Sequence, residues 1–361
     1  MKILVIVTSH FGYDGITNVA TYYYVYSDHL KVKMDFVTIN EIPDNFNKQL
    51  NKYGDSHYVL PMRNKNPFLY FVRLMNIIRK GKYDIVHIHG NSNTMFIELW
   101  AAKLAGAKVR IPHSHNTQCN HPIINKILKP FFKSAYTYGF ACGQEAGEWL
   151  FPKNGFKIIP NGINLERFKF NSEKRKQLRQ SMDIQDKLVI GHVGRFSLQK
   201  NHEKLLYIFE SLKQVNPNVT LLLWGEGELL ESNRQLAKQI GGDIRFMGTT
   251  NEIEEVLQVV DIIVFPSLFE GLPLFLVEAQ AMGLNCLVSD TVSPMAKLTD
   301  YFHFQPLTDE NEKWAKSIIE ISQQSNSESN SKVAHTCIAK AGYDIRENCS
   351  NLLKTYKSLI K

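Results

Sequence analysis

Short apolar runs alternate with amphipathic segments along the whole 361-residue chain, and this alternation limits the folds open to it. The runs are rich in Val, Ile and Leu, which is typical of parallel strands buried on both faces. Repeated strand–helix units with right-handed crossovers build a doubly wound sheet. The strands predicted in the first half are Ile3–Val7, Lys33–Thr38, Ile85–Ile88, Lys108–Ile111, Tyr138–Ala141 and Lys157–Ile159.

The pattern restarts after a polar segment at residues 171–180. We therefore predict the α/β class, with two Rossmann-like doubly wound domains facing across a cleft. Turn residues at 160–162 mark the join, so the expected domains are 1–165 and 166–340, followed by a C-terminal helix at 341–361 that could pack back on the first domain. The serine-rich stretch 322–329 is predicted to be a loop. The strands predicted in the second half are Leu188–Val193, Thr220–Trp224, Asp243–Met247, Ile262–Phe265 and Asn285–Val288.

Composition narrows the class of protein. Hydrophobic residues make up 44% of the chain and charged residues 21%, which excludes a disordered or fibrous protein. No apolar run approaches the roughly 18 residues of a membrane helix. The apolar start at residues 3–7 has no cleavage site after it and predicts a strand rather than a signal peptide. Five scattered cysteines without a C-x-x-C pair suit a reducing cytosol, so we expect a cytoplasmic protein.

Positive charge is concentrated in the first half. Residues 1–165 hold 19 Lys and Arg against 10 Asp and Glu, which favours an anionic partner. Nucleic acid is not expected, since no known binding motif accompanies the charge. The stretches 61–82 and 122–133 mix Lys and Arg with Phe, Ile and Leu. Such segments can rest on an anionic membrane or be ordinary core-facing helices; we expect peripheral membrane contact through this half.

The most informative segment spans residues 264–290, VFPSLFEGLPLFLVEAQAMGLNCLVSD. A strand is predicted to lead into a loop, and a helix to begin at Pro273, which is favourable as a first helical residue. Glu270 then follows the strand and Glu278 lies in the helix. A helix N-terminus binds anions, and two carboxylates beside it suit a ligand with hydroxyls as well as phosphate. A nucleotide sugar has both, whereas the alternative is a surface helix with two solvated glutamates.

A second segment, VIGHVGRFSLQKNHEKLL at 189–206, puts Arg195 and Lys200 between a strand and the next helix. Arginine offers phosphate a bidentate fork and lysine a point charge; the alternative is a pair of surface cations. The G-x-G-x-x-G fingerprint is absent, which argues against a nicotinamide dinucleotide. Two strand-end turns, at 224–227 and 245–248, could bring main chain close to a base.

The first half offers weaker candidates. Gly15 lies in a loop after the first strand. HSHNTQCNH puts His113, His115, Cys119 and His121 within nine residues, a composition that could hold a metal. We expect the rings of His113 and His115 to point to opposite sides of the extended chain, and acidic ligands are scarce nearby. A single histidine facing the cleft, His115 or otherwise His113, is therefore favoured over a metal site.

With these motifs the chain resembles the retaining glycosyltransferases of family 4, whose architecture is GT-B. The resemblance extends over nearly the whole length. It rests most on an E-x7-E motif at 270–278, together with GRFSLQKN (194–201), IPNGINLERF (159–168) and RFMG (245–248). The segments EGLPLFLVEAQAMG and HIHGNSNTMFIELWAAKLAG resemble those of the family branch that builds bacterial capsular polysaccharides and exopolysaccharides.

The resemblance implies roles for the matching residues. Arg195 and Lys200 would grip the donor diphosphate, Glu278 would bind the ribose hydroxyls, and Glu270 would contact the transferred sugar. His115 would lie near the donor sugar and the acceptor. The catalytic residues implied are Glu270, His115, Arg195 and Lys200. The substrate-binding residues implied are Gly15, Arg195, Lys200, Phe246, Met247, Glu270, Gly271, Leu272, Leu274, Phe275 and Glu278.

The reaction implied by the resemblance moves a hexose from a UDP-linked nucleotide sugar to a growing, lipid-linked polysaccharide repeat unit. Domain 1–165 would bind the acceptor and domain 166–340 the nucleotide sugar. Glycosyl transfer passes through an oxocarbenium-like state, and cations with a helix N-terminus at 272–275 could stabilise the departing diphosphate. The D-x-D motif of metal-dependent enzymes is absent, so we expect neither metal nor cofactor. The alternatives that stay open are a nucleotide-sugar epimerase or a phosphorylase-like enzyme of the same fold, and a metal-dependent hydrolase built on the histidines. A non-catalytic partner subunit is a further alternative, against which the retained charged site residues argue.

Overall fold

Two compact units make up the chain in the computed structural model. The structure describes residues 1–12, 15–117, 119, 121–153, 155–250, 252–270, 273–324 and 326–360. Unit 1 comprises Met1–Gly162 with Gly342–Lys361, and unit 2 comprises Ile163–Ala341. The roles predicted for the two halves, acceptor binding and donor binding, stay predictions.

Unit 1 is built on a parallel sheet. Its strands are β1 (Lys2–Val7), β2 (Lys33–Thr38), β3 (His57–Val59), β4 (Ile85–Gly90), β5 (Val109–Ser114), β6 (Gly139–Ala141) and β7 (Phe156–Ile158). They lie in the order β3-β2-β1-β4-β5-β6-β7. The helices that precede unit 2 are α1 (Gly15–Val25), α2 (Asp44–Tyr53), α3 (Pro67–Gly81), α4 (Phe96–Leu104), α5 (Pro122–Lys133) and α6 (Gln144–Leu150).

Unit 2 repeats this plan. Its strands are β8 (Leu188–Val193), β9 (Val219–Trp224), β10 (Asp243–Gly248), β11 (Ile262–Phe265), β12 (Asn285–Ser289) and β13 (Phe302–Gln305), in the parallel order β10-β9-β8-β11-β12-β13. Its helices are α7 (Ser172–Ser181), α8 (His202–Val215), α9 (Leu230–Ile240), α10 (Ile253–Val259), α11 (Leu274–Ala281), α12 (Asn311–Gln323) and α13 (Ser327–Lys340). The chain then returns to unit 1 in α14 (Ile345–Leu359).

The predicted α/β class with two doubly wound sheets is confirmed. In both sheets the chain starts in the middle, runs to one edge, and then returns to build the other side. The reversal falls between β1 and β4 in unit 1 and between β8 and β11 in unit 2. Sheets of this kind bind ligands outside the carboxyl ends of the strands at such a switch point, so the loops after these four strands are the places to look for a site.

Local sequence signals set the ends and faces of the elements, as in α3. The side chain of Asn66 accepts a hydrogen bond from the backbone N–H of Leu69, and Pro67 occupies the first turn. Both features favour a helix start at that point. Tyr70, Leu74 and Ile78, four residues apart, share the face that packs into the core of unit 1.

The structure corrects the bounds of three predicted elements. The helices on either side extend into the loop predicted at 322–329, because α12 runs to Gln323 and α13 begins at Ser327, where the side chain of Asn326 caps it. Burial of Ala334 and Ile338 stabilises α13 despite its polar composition. Helix α11 begins one residue later than predicted, at Leu274. Strand β5 extends three residues past its predicted end and so takes in the first histidine of HSHNTQCNH.

None of the helices in the described ranges combines the length and the apolar character needed to span a bilayer.

Replacing Trp314 with alanine is expected to lower the free energy of unfolding of unit 2 by about 3–5 kcal/mol. The indole is fully buried in the core cluster beside β8, β9 and β11, and its removal leaves a cavity. Denaturant unfolding followed by far-ultraviolet circular dichroism measures the change, because Trp100 and Trp149 of unit 1 also contribute to the intrinsic fluorescence.

The matched control is Lys316→Ala on the same helix, where the side chain is 76% exposed and the expected change is within about 0.5 kcal/mol. A loss for Trp314→Ala no larger than that of the control would contradict the assignment of this core.

Candidate functional site

Backbone and amide hydrogen bonds tie together the two loops that flank the switch point of unit 2. The N–H of Leu268, after β11, donates to the carbonyl of Gln199, after β8, over 2.8 Å. The side-chain amide of Asn201 donates to the carbonyl of Pro266 over 3.1 Å. Side chains carried by either loop are therefore held at fixed places relative to each other.

Lys200 and Glu270, predicted from separate motifs, meet at this point. Lys200 Nζ lies 2.6 Å from Glu270 Oε1, and the two side chains are 18% and 11% exposed. The ammonium group also lies 4.5 Å from the centre of the Phe265 ring, a distance at which a cation is attracted to an aromatic face. The site thus holds a cation and a carboxylate side by side, partly shielded from water.

Arg195 has a different environment. Its Nε donates to Glu228 Oε2 over 3.1 Å, and the arginine side chain is 73% exposed. Ion pairs this exposed contribute about 0–1 kcal/mol. The guanidinium can therefore turn from Glu228 to an incoming anion at little cost, whereas Lys200 is already confined.

Two glycines allow the β9 loop to lie directly against the loop that carries Arg195. Gly225 has φ 138°, and a Cβ there would stand 2.0 Å from the carbonyl oxygen of Gly194; a Cβ on Gly227 would stand 2.5 Å from that of Phe196. The N–H of Gly194 donates to the carbonyl of Trp224 over 3.0 Å. The turn at 224–227 therefore packs against the main chain on both sides of Arg195.

Glu278 lies in α11 and its side chain is buried. Burial raises the pKa of its carboxyl to about 8; Arg167 opposes that rise and Glu254 adds to it. Arg167 and Glu254 form an ion pair with Nη2 and Oε2 2.6 Å apart. A desolvated carboxyl at this position is suited to exchange hydrogen bonds with hydroxyl groups.

The segment between the two glutamates is described in part. Gly271 and Leu272, predicted to bind substrate, lie outside the described residues. Leu274 and Phe275 form the first turn of α11, where backbone N–H groups have no partner within the helix. The Phe275 ring lies 6.4 Å from that of Phe265, so the helix start is packed against the end of β11.

Phe246 and Met247, predicted to hold a base, end strand β10. The pairing of β10 with β9 shifts register between Phe246 and Gly248, which leaves the exposed Met247 without a regular partner. The Phe246 ring lies 5.8 Å from the Phe196 ring and 5.6 Å from the guanidinium carbon of Arg234. The main chain at this strand end is thus irregular, and Met247 is exposed.

Two buried histidines behind Lys200 were missed by the sequence reasoning. His192 Nδ1 lies 3.0 Å from the carbonyl of Val264, and the His202 ring stacks on Phe196 at 3.9 Å. Burial lowers the pKa of His192 to about 4 and that of His202 to about 2. Both rings are therefore neutral at physiological pH, so they support Lys200 without adding charge. His192 lies in β8 and His202 at the start of α8, where the sequence gives no sign that distinguishes them from ordinary core residues.

The predicted orientation of the unit 1 histidines was wrong. The rings of His113 and His115 lie 4.2 Å apart on one side of the chain, because residues two apart in an extended chain share a face. His89 and His87 from the neighbouring strand join them, with His87 Nε2 3.2 Å from His113 Nδ1 and His89 Nδ1 2.9 Å from His115 Nε2. The four rings form a stack at the carboxyl ends of β4 and β5.

Burial keeps this histidine stack neutral. It lowers the pKa of all four imidazoles, to about 3 for His89. Ring nitrogens of His87, His89 and His113 lie within 4.8 Å of one another, a spacing that a metal could use, and no carboxylate belongs to that group within the described residues. Four of the ring nitrogens instead form two hydrogen-bonded pairs, His87 with His113 and His89 with His115, which favours a hydrogen-bonded stack over a metal site.

Gly15, the remaining predicted residue, is the first residue of α1 after β1. A Cβ there would meet no atom within 4 Å among the described residues. Its neighbours Tyr13 and Asp14 lie outside the described ranges.

Comparison with known proteins gives the family. Residues 174–336 match "Glycosyl transferases group 1", and residues 13–167 match "Glycosyltransferase Family 4". The chain belongs to these glycosyltransferase families. The chain is 32% identical over 350 residues to EpsF of Bacillus subtilis (strain 168), a protein named as a glycosyltransferase. The match covers 91% of this chain and 89% of EpsF.

Two further likenesses agree with this. The chain is 30% identical to the "UDP-Gal:alpha-D-GlcNAc-diphosphoundecaprenol alpha-1,3-galactosyltransferase" of Escherichia coli. This match covers 61% of each protein. The crystal structure of Anabaena Alr3699/HepE in complex with UDP-glucose superposes with a TM-score of 0.79 at 18% identity, covering 99% of this chain and 100% of that one. The fold is thus GT-B, as the resemblance implied. The family matches support neither the epimerase nor the hydrolase alternative.

Glu278→Gln is expected to flatten the pH dependence of stability. The folded-state pKa of about 8 exceeds the ordinary 4.5, so between these values the folded state keeps a proton that the unfolded state has lost. Stability of the wild type therefore falls as pH rises through this window, by up to about 1.4 kcal/mol per pH unit. Thermal unfolding at pH 5 and pH 8 measures the effect.

Glu320→Gln, at an exposed glutamate of α12, is the control and should behave as the wild type. An equal drop in melting temperature between the two pH values for Glu278→Gln and the wild type would contradict the burial argument.

Proposed function

We propose that this glycosyltransferase moves a hexose, with retention of configuration, from a UDP-sugar to a growing lipid-linked saccharide at the inner face of the cell membrane. The observation that carries the proposal is the pairing of Lys200 with Glu270 at the switch point of unit 2, 2.6 Å apart. A cation there suits a phosphate and a carboxylate beside it suits sugar hydroxyls. A nucleotide sugar presents both groups next to each other.

The cations act on the leaving group in this proposal. As the bond from the sugar to the diphosphate breaks, negative charge grows on the departing oxygen while the sugar becomes oxocarbenium-like. Arg195 turns from Glu228 toward the diphosphate and Lys200 exchanges part of its contact with Glu270. The first turn of α11, with Leu274 and Phe275, adds N–H groups. These groups supply the stabilisation without a metal.

The carboxyls and a histidine hold the rest of the donor. Glu278 binds the ribose hydroxyls and Glu270 the transferred sugar. The main chain at Phe246 and Met247 holds the base, and Gly15 borders the donor in unit 1. His115 contacts the transferred sugar near the acceptor. Gly271 and Leu272, which lie outside the described residues, stay predicted substrate-binding residues.

Named relatives support the donor and acceptor classes. The Escherichia coli relative is named for a UDP-galactose donor and a diphosphoundecaprenol-linked acceptor. A Campylobacter jejuni relative, 25% identical and named an N-acetylgalactosaminyltransferase, also carries a diphospho-undecaprenol acceptor in its name. The Anabaena structure contains UDP-glucose. A saccharide on a polyprenyl diphosphate is therefore the acceptor we propose.

Arg195→Ala and Lys200→Ala are each expected to lower turnover by about 10²–10³-fold, by analogy with the loss of one oxyanion donor. The physical reason is that one positive charge no longer faces the departing diphosphate. Steady-state release of UDP from a panel of UDP-sugars, with a polyprenyl-diphosphate saccharide as acceptor, measures the loss.

Lys332→Ala is the matched control, since this exposed lysine of α13 pairs only loosely with Glu328, at 3.8 Å, and its loss should leave turnover unchanged. Near-wild-type turnover of both site variants, with unfolding curves like the control's, would remove the cationic site from the mechanism.

Helix α5 is the surface we propose for membrane contact. Its residues Ile123, Ile127 and Phe131 are 75%, 63% and 53% exposed, and Lys126 and Lys129 lie exposed among them. The helix contains no acidic residue. By contrast, α3 buries Tyr70, Leu74 and Ile78 in the core, so of the two basic stretches α5 is the better candidate.

Polar contacts fix α5 to unit 1 without covering its apolar face. Asn93 donates from its backbone N–H to Asn125 Oδ1 over 2.7 Å and from its side chain to the Asn125 carbonyl over 2.8 Å. Trp100 Nε1 donates to the Phe131 carbonyl over 3.1 Å. An amphipathic cationic helix held this way can insert its apolar side chains at an anionic interface.

The protein is expected to sediment with vesicles containing phosphatidylglycerol at low salt and to be released at high salt. Lys126→Ala with Lys129→Ala removes about 2 kcal/mol of attraction, roughly 30-fold in partitioning, at about 1 kcal/mol per cation. Vesicle co-sedimentation against salt measures both effects.

Lys332→Ala with Val333→Ser, an adjacent exposed cation and apolar residue on α13, serves as control and should not change binding. Equal binding to neutral and anionic vesicles would overturn the membrane proposal and leave the transferase proposal standing.

A further inference from the structure

One ring nitrogen of His115 has no hydrogen-bond partner among the described residues. Its Nε2 lies 2.9 Å from His89 Nδ1, and the two rings stack with centres 5.1 Å apart. Its Nδ1 is buried and has no hydrogen-bond partner among the described residues. A buried ring nitrogen without a partner costs free energy, which points to a ligand atom that completes it.

The backbone at His115 is held as firmly as its ring. The N–H of His115 donates to the side-chain oxygen of Asn91 over 3.2 Å. The carbonyl of Asn91 in turn accepts from Trp149 Nε1 over 3.1 Å. Main chain and imidazole therefore have separate anchors, and the anchor of the ring is His89, which is 2% exposed.

We propose that His89 is a positioning residue that fixes the ring orientation and tautomer of His115, so that His115 Nδ1 is offered to a hydroxyl group of the sugar substrate. This inference rests on the proposed function, in which His115 contacts the transferred sugar, and it explains what orients the ring of His115. His89 itself contacts His115 rather than the substrate.

The tautomer follows from the hydrogen-bond inventory. One of the two facing nitrogens, His115 Nε2 or His89 Nδ1, must donate. If His89 donated, the proton of neutral His115 would sit on Nδ1 as a buried donor without a partner among the described residues, which is rare for buried side-chain polar atoms. If His115 Nε2–H donates, Nδ1 keeps a lone pair that can accept from a sugar hydroxyl. His89 thus selects the accepting form of His115.

The other half of the stack offers an internal comparison. Tyr356 from α14 lies with its hydroxyl 2.6 Å from His87 Nδ1, and His87 Nε2 faces His113 Nδ1 at 3.2 Å. This chain of contacts is also buried, and His113 Nε2, like His115 Nδ1, has no hydrogen-bond partner among the described residues. It includes neither His89 nor His115. Tyr356→Phe removes one hydrogen bond from it and leaves the His89–His115 pair intact.

The test compares His89→Leu with His89→Asn. Leucine fills the space but cannot accept from His115, whereas the side-chain oxygen of asparagine takes the place of Nδ1. His89→Leu is expected to lower kcat/KM by on the order of 10–100-fold, the range found for partners that orient histidines in metal sites. His89→Asn and Tyr356→Phe are expected to stay within about 3-fold of the wild type.

Two further readouts keep the test independent of folding and of the reaction. The thermal shift produced by UDP should be the same in wild type and His89→Leu, since the proposed nucleotide site lies in unit 2. Ring ¹⁵N shifts of His115 should report the Nε2–H form in the wild type and in His89→Asn, and a changed tautomer mixture in His89→Leu.

The outcomes separate the two proposals. An Nδ1–H form of His115 in the wild type, or equal kcat/KM for His89→Leu and the wild type, would overturn the role of His89 even if transfer is robust. Absence of UDP-sugar transfer in the wild type would overturn the proposed function, and the ¹⁵N spectra would still decide whether His89 sets the tautomer.

Discussion

Two hydrogen bonds between the loops after β8 and β11 fix the positions of the charged side chains at the switch point of unit 2. These bonds, from Leu268 to Gln199 and from Asn201 to Pro266, bring Lys200 against Glu270. An ammonium and a carboxylate at 2.6 Å compensate each other's loss of hydration, so both can stand in a partly buried place before any ligand arrives. A ligand that carries an anion and hydroxyls can replace each partner with an equivalent of its own.

Neutral groups limit the charge around this pair. His192 and His202 lie behind the lysine, and burial keeps both rings uncharged, so no further cation competes for the carboxylate. The backbone contacts made possible by Gly225 and Gly227 leave little room for the loop of Arg195 to collapse. Arg195, by contrast, extends into solvent. One cation is therefore preorganised and the other adapts, a division that suits a ligand which must both enter and leave.

Much of this could be predicted from the sequence, for reasons that differ between elements. The buried strands are continuous apolar runs, and their order follows from right-handed strand–helix repeats. Glu270 and Lys200 could be placed at strand ends because Pro273, Gly194 and the apolar runs beside them mark the boundaries. Their 2.6 Å contact could not, since 70 residues separate them and only the sheet order brings them together. The prediction that His113 and His115 point to opposite sides was wrong, because side chains two residues apart in an extended chain lie on the same face.

Helix α13 shows the opposite limit. Its first residues, 327–329, belong to the serine-rich stretch predicted to be a loop, yet a cap at Asn326 and a few buried side chains further along the helix make them helical. Propensity is a weak guide where tertiary burial is available. The same holds for Phe246, whose environment between Phe196 and Arg234 depends on two other elements of unit 2.

The return of α14 to unit 1 has a consequence for synthesis on the ribosome. Tyr356 reaches His87 across 269 positions of sequence, and Cys349 Sγ lies 3.6 Å from the carbonyl of Tyr23. Unit 2 lies between these partners in the chain. The earlier part of unit 1 must therefore wait, with the face later covered by α14 open, while all of unit 2 is translated. During that interval a chaperone or a neighbouring nascent chain has access to apolar surface that the finished enzyme conceals.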